Sequence, residues 1–424
     1  MIIPLPALAA YRRDLESLGD SVAAESELER ALGRWVSFGA ILESFLTEVT
    51  PAAQTNGGDA VQHVVGTFAP RLADVADDRD PDADGTSIAP SAAPPNDLPA
   101  LATLTRRVAD AAEQRGALWL AYAMLDTLER VGGALPPLEL GRLLAQRARV
   151  ARKADSSEIA DTLYRRVDAL GRSAKAPELT ARAAIGVGVL AEMRGNLPLA
   201  ARHFEKAARI AASCGNAELR RVAQHGRMAI AAKRGAFADA LAYGWDAFAA
   251  AAGNREQEAD MLLNLAQIAF DTGHPVPALQ GFLAALARRP GPRLFLPALG
   301  GAARAAAALN RTDVVRWCGA RIDEITHVGS FAYPIASALL DLALATAPAQ
   351  PALADRYVHR ARRLTEEFHF HELEHHLVTL QKRLEDRVER IAADTLPSSQ
   401  SVGARGDEVL RQIEQLDGEL LQTG

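Results

Sequence analysis

Apolar and small residues recur in one pattern seven times between about residue 95 and residue 365. In most copies a small residue stands seven positions before a turn residue, although the copy at Gly235 has Met228 there. Ala or another small apolar residue, a bulky residue and an apolar residue follow the turn at +5, +9 and +12. Successive turns are 37 to 40 residues apart, and a fixed period of this size predicts stacked pairs of helices. The clearest copies turn at Gly195, Gly235 and Gly273, and weaker copies turn near Gly116, Asp155, Asn310 and Ala349.

The segments around this array have other patterns. Apolar residues at spacings of three and four from Leu28 to Val49 indicate a helix that either docks on the first repeat or self-associates. Asp, Pro, Ala and Ser dominate 74–98, which is typical of a solvated linker. We therefore expect an N-terminal helical segment (1–73), an acidic Pro-rich linker (74–98), the array (99–368), a capping helix (369–393) and a linker with a final amphipathic helix (394–424).

Composition supports an all-α fold and limits the function. Aromatic residues make up 5% of the chain, which disfavours β-structure, and the net charge of -6 argues against binding nucleic acid through bulk electrostatics. The two cysteines, Cys214 and Cys318, are too few for a disulfide framework and are expected to be buried thiols. We expect no membrane span and a cytoplasmic location, because no long uncharged apolar run occurs and the first residues lack a basic stretch.

The copy around Gly273 carries a resemblance to a known family. It has Asn264-Leu265-Ala266 before the turn, and Ala278, Phe282, Ala285 and Pro290 after it. This arrangement resembles the tetratricopeptide repeat, in the longer-repeat form found in bacterial regulators and scaffolds. The resemblance implies an all-α, right-handed α-solenoid of about seven helix-turn-helix repeats with C-terminal capping helices. It also implies a concave groove lined by the first helix of each pair.

The same resemblance implies which side chains face the groove. Its N-terminal half would be basic, and its centre would be mixed polar and apolar, which suits an extended or helical peptide. The arginines could instead solvate a helix face or pair with the acidic linker, and the sequence leaves this open. The predicted peptide-binding residues are Arg142, Arg149, Arg182, His225, Asn264, Gln267 and Phe270.

One segment spells a metal-binding pattern. His371-Glu372-Leu373-Glu374-His375 places two histidines one helical turn apart with a glutamate between them, as in zinc hydrolases. Glu374 departs from that family, and no strand pattern precedes the segment. We expect a helix with the leucine buried and the histidines at least partly outward. Metal binding by His371 and His375 is a lesser alternative.

The sequence therefore predicts a non-enzymatic scaffold that uses no cofactor. We expect this scaffold to bind a protein or peptide, and to bind neither nucleic acid nor a membrane. Two alternatives stay open. The first is a regulator whose array senses a peptide or protein, and the second is a zinc-dependent hydrolase at the histidine segment. Self-association through the N- or C-terminal helices also stays open.

Overall fold

The computed structural model describes residues 102, 103, 105, 106, 109, 110, 113, 118–131, 135–325, 332–368, 370–385 and 399–416. Every regular element in these residues is an α-helix, and fifteen helices have defined bounds. The chain divides into two compact units, Met1–Cys214 and Gly215–Gly424. The predicted N-terminal helical segment and acidic linker lie outside the described residues.

Unit 1 consists of helices that each pack against the next one along the chain. Helical residues between 102 and 113 form the first helix of the first pair. In the later pairs α2 and α4 are the first helices, and they also contact each other. The helices are α1 (Leu118–Val131), α2 (Pro137–Lys153), α3 (Ser157–Ser173), α4 (Pro177–Met193) and α5 (Leu197–Ser213).

Unit 2 repeats this arrangement over four pairs and adds two further helices. Its first helices are α6, α8, α10 and α12, and its second helices are α7, α9, α11 and α13. The bounds are α6 (Ala217–Lys233), α7 (Phe237–Ala250), α8 (Arg255–Asp271), α9 (Pro275–Ala287), α10 (Pro292–Ala308), α11 (Thr312–Ile325), α12 (Ala332–Thr346), α13 (Pro351–Phe368), α14 (His371–Glu385) and α15 (Gly403–Glu414). None of these described helices is long and apolar enough to span a membrane.

Five of the predicted turns between helices share one geometry. At Gly195, φ is 74°, its N–H donates to the Glu192 carbonyl, and the N–H of Asn196 reaches back to Ala191 at 2.8 Å. This bonding closes a helix with a left-handed residue, a conformation that glycine adopts without strain. The predicted turns at Asp155, Gly235, Gly273 and Asn310 have the same pair of bonds and a positive φ. Ala349 also lies in a turn, whereas Gly116 lies outside the described residues.

Small and bulky residues exchange places between the two helices of a pair. A Cβ on Gly188 would lie 3.1 Å from the ring of Phe204, so the small residue makes room for the aromatic one. In the next pair the sizes are reversed, because Met228 occupies the first helix and Gly244 the second, with Sδ 2.8 Å from a Cβ built at Gly244. The total volume at the crossing is thereby conserved, which a close-packed interior requires.

The predicted C-terminal elements pack as expected. Leu373, Leu377 and Leu380 on α14 are buried, and the helix contacts α12 and α13. The described part of the predicted capping helix, His371–Glu385, thus packs on the last pair of helices. Cys318 is buried as predicted, but Cys214 is exposed. The prediction for Cys214 was wrong because this residue follows the last turn of α5 as its C-cap, outside the helix face that packs.

The last described helix, α15, returns to the second helices α7 and α9. Val409 and Ile413 are buried in this contact, with Ile413 close to Gly281 on α9. At its ends, the Gln400 N–H donates to the Thr272 carbonyl at 3.0 Å, and the Gln280 side chain donates to the Leu416 carbonyl. The predicted amphipathic helix thus docks on its own chain.

Candidate functional site

In unit 1, the predicted groove arginines are neutralised by carboxylates of their own chain. Arg142 donates two hydrogen bonds of 3.1 Å to the two carboxylate oxygens of Glu178 and one of 2.8 Å to Glu139. Arg182 donates to the same Glu178 at 3.2 Å. Burial alone would raise the pKa of Glu178, but the Arg142 hydrogen bonds and the Arg182 charge hold that pKa below its usual value.

Arg149 is neutralised in the same way. It donates to Glu113 at 2.8 Å and also to Asp110, and Lys153 lies 2.7 Å from Glu113. Burial would raise the pKa of Glu113, whose side chain is only 4% exposed, but Arg149 and Lys153 hold that pKa below its usual value. These arginines therefore hold neighbouring repeats together. The structure favours self-pairing over an open basic groove here, and the partners among the described residues are first-helix carboxylates.

The spacing of these pairs is a signal that the sequence contained. Arg142 and Glu178 are 36 residues apart, as are Arg149 and Glu113. A side chain one repeat away lies on the same face of the neighbouring first helix, so opposite charges separated by about one period are placed to meet. A search for such pairs would have predicted the neutralisation.

In unit 2, the predicted residues are spread along two helices. His225 is half-buried on α6, whereas Asn264, Gln267 and Phe270 lie on α8. The Asn264 amide donates to the Asp260 carbonyl of its own helix at 2.7 Å. Gln267 donates to Asp271 at 2.7 Å, and Phe270 is 3% exposed. Of these four residues, Gln267 lines a pocket, and Phe270 reaches it only through its contact with the lining residue Arg304.

This pocket has a volume of about 500 Å³ and lies on the first-helix face of unit 2. Three first helices, α8, α10 and α12, line it, and the capping helix α14 closes one side. Its walls combine leucine side chains with three hydroxyls, an amide, an imidazole, a carboxylate and a guanidinium. The lining residues are Gln267, Arg304, Tyr333, Ser337, Leu340, Asp341, Leu344, Leu373, His376, Thr379 and Leu380.

Arg304 and Asp341 form the polar centre of the pocket. The Arg304 Nη1 lies 3.4 Å from the Asp341 Oδ1, and the guanidinium stacks over the Phe270 ring at 4.6 Å. Burial raises the pKa of Asp341, and the Arg304 charge only partly opposes that rise. Burial likewise raises the pKa of nearby Asp271. Sequence reasoning missed Arg304, although it stands six residues before the Asn310 turn, as Gln267 does before Gly273.

The histidine segment shows no arrangement for metal in the part of the chain that the structure describes. His375 and His376 are exposed, whereas the side chains of His371 and Glu372 lie outside the described residues. Among described side chains, no group of three or more His, Cys, Asp and Glu could hold a metal ion. The metal site at His371 and His375 stays a prediction.

Comparisons with known proteins support the fold. No family model matches the sequence, and no curated protein matches it. A solved signal transduction ATPase with numerous domains (STAND) from Pyrococcus horikoshii, with a tetratricopeptide repeat sensor, is similar at a TM-score of 0.50 and 13% identity. The match covers 86% of this chain and 56% of that one, so the chain spans little more than half of that protein's length. A circular tandem repeat protein matches over 93% of this chain at 14% identity, with a TM-score of 0.15. The first likeness indicates a helical repeat fold.

Proposed function

We propose that the chain is a non-enzymatic, tetratricopeptide-like interaction domain that binds an extended segment of a partner protein at the pocket of unit 2. The pocket carries this proposal. Ligand sites are concave and combine apolar walls with polar groups that fix orientation, and this pocket sets four leucines beside a polar wall that contains Arg304 and Asp341. Its position among α8, α10 and α12 corresponds to the groove that the tetratricopeptide resemblance implies.

Charge distribution also supports this location over unit 1. Arg142, Arg149 and Arg182 would have to break ion pairs with their own chain before they could bind an acidic partner. Such exchange costs the ligand part of its binding energy, because the freed carboxylates would have to be rehydrated. In the pocket, by contrast, Tyr333 is 42% exposed and offers an aromatic surface at the rim.

Blocking the pocket tests the proposal. Ser337 is a small, half-buried lining residue of α12, so Ser337→Trp should fill the pocket without changing its charge. Ala320→Trp is the matched control, because Ala320 is an exposed small residue on the second helix α11. Peptides selected from a displayed random library on the full chain should bind the control variant and lose binding to Ser337→Trp. Equal binding to both variants contradicts the proposal.

A sensor role is the second candidate, in which the same pocket takes a signal peptide. The solved neighbour with a tetratricopeptide repeat sensor motivates it. A sensor must change shape or mobility with its ligand, because a ligand shifts an equilibrium only by binding one state better than another. Small-angle scattering of the full chain with and without a selected peptide should then show a different radius of gyration. An unchanged scattering curve favours the simple interaction domain.

A further inference from the structure

The arginine in the unit 2 pocket differs from those of unit 1 in how many of its donors are used. Within the described residues, the hydrogen bond that Arg304 donates is a single long one of 3.4 Å, to Asp341. A guanidinium has five N–H donors, so most of those on Arg304 are open to a ligand. Arg142 in unit 1 instead makes three bonds of 2.8 to 3.1 Å.

The Arg304 Cζ lies 4.6 Å from the centre of the Phe270 ring, a cation–π contact that holds the guanidinium beside that ring. The Arg304 side chain is 27% exposed, so the guanidinium is neither solvated freely nor sequestered. A ligand in the pocket therefore meets a positioned hydrogen-bond donor.

Beside this donor, Asp341 presents an acceptor. Its Oδ1 is the atom that faces Arg304, and its Oδ2 accepts no hydrogen bond from any described residue. Gly300 leaves space for that oxygen, since a Cβ at Gly300 would lie 2.6 Å from Oδ2. The side chain is 19% exposed and lines the pocket, so its carboxylate is partly buried with its hydrogen-bonding capacity unfilled. Such a group gains from a ligand that donates to it.

We propose that the pocket recognises a primary carboxamide, the side chain of Asn or Gln, in the bound peptide. This inference rests on the proposed peptide-binding function. The amide oxygen accepts from Arg304 and the amide NH₂ donates to Asp341, so both groups are used at once. Leu340 and Leu344 contact the methylene groups of the same side chain.

A charged ligand group of either sign would be repelled by a like charge in the pocket. A ligand carboxylate would bond with Arg304 but would face the Asp341 carboxylate, and a ligand ammonium would bond with Asp341 but would face Arg304. Each arrangement also leaves one partly buried polar group without a partner, which costs affinity. The neutral amide avoids both penalties, so the pair discriminates by charge as well as by hydrogen bonding.

Selected peptides test this chemistry on the full chain. Peptides enriched from the random library should carry Asn or Gln at one position, and replacing that residue by its isosteric acid, or by Lys, should weaken binding about tenfold. Asp341→Asn removes the negative charge and replaces one carboxylate oxygen with an NH₂ donor while keeping the shape of the side chain. In that variant the acidic peptide should bind more tightly than the amide peptide.

The outcomes separate this inference from the proposed function. Peptides that lose binding to Ser337→Trp but bind wild type equally with Gln, Glu or Lys overturn the carboxamide assignment and leave the proposed function standing. An amide preference that persists unchanged in a folded Asp341→Asn also overturns it. A library that yields no peptide sensitive to Ser337→Trp contradicts both. Circular dichroism checks the folding of each variant. If Asp341→Asn unfolds, the binding of the amide, acidic and Lys peptides to wild type is sufficient to test the carboxamide assignment.

Discussion

The contact between Gly301 on α10 and Phe282 on α9 allows a sharp test of the packing. A Cβ built at Gly301 would lie 2.4 Å from two carbons of the Phe282 ring and 2.9 Å from a third. Carbon atoms in contact prefer about 3.5–4.0 Å, so Gly301→Ala forces the ring to move by about 1 Å. Phe282 is 1% exposed, so the ring would have to move against its buried neighbours.

Two opposing effects set the size of the change. Overpacking of this kind costs about 1–3 kcal/mol, whereas Ala in place of Gly inside a helix contributes about 1 kcal/mol. Gly301→Ala should therefore lower the free energy of unfolding by about 1 kcal/mol. In a Phe282→Leu background the ring is gone, so the same substitution should raise that free energy by up to about 1 kcal/mol. The sign reversal corresponds to a coupling of about 2 kcal/mol.

Urea unfolding followed by circular dichroism measures these changes. Hydrogen exchange of α9 and α10 supplements it, because repeat arrays depart from two-state behaviour. Gly235→Ala is the control, since Gly235 has a φ of 72° and open space around its Cα. It should cost about 1–2 kcal/mol through backbone strain in both backgrounds. If Gly301→Ala has the same effect with Phe282 and with Phe282→Leu, the proposed steric contact is wrong.

Three further predictions address other parts of the chain. Glu178→Gln should lower the free energy of unfolding by about 1 kcal/mol at pH 7. This difference from wild type should vanish as the pH falls below the ordinary carboxyl pKa of 4.5 and through the lower pKa of Glu178 in the folded protein. Urea unfolding midpoints from pH 7 to pH 3 measure the difference. One thiol should react with Ellman's reagent in the native protein, because Cys214 is exposed whereas burial raises the pKa of Cys318 to about 12. Reaction of a second equivalent of thiol before the protein unfolds would refute this prediction. Ile413→Asp should release α15 and increase hydrogen exchange in α7 and α9, whereas Ala404→Asp, an exposed substitution on the same helix, should not; equal exchange in both variants would contradict the docking.

The period of apolar positions predicted the helix pairs because their packing is local. Each pair depends on residues within about one period, so Gly195, Ala200 and Phe204 can be read from a short stretch of sequence. The turn at Asn310 was also predictable without a glycine, because Asn tolerates a left-handed backbone and φ there is 58°. The helix-pair architecture is thereby confirmed.

The candidate site was predicted less well because it depends on contacts between repeats. The resemblance implied that Gln267 faces the groove, and Gln267 lines the pocket, but the resemblance could not show that Glu178 neutralises Arg142 and Arg182. Nor could it show that α14 closes the pocket, since this depends on how the capping helix turns after Phe368. The repeat period predicts which residues share a helix face. Identifying the ion-pair partner of a charged residue also requires knowing which residues of the neighbouring repeat lie next to it.

The docking of α15 has a consequence for biosynthesis. Gly281 and Ile413 meet across 132 positions, so the apolar surface of α7 and α9 emerges from the ribosome long before the segment that shields it. During that interval the nascent chain exposes an apolar surface that chaperones can bind. A protein truncated before residue 400 would lack α15, so this apolar surface would stay exposed and the truncated protein would be a target for degradation.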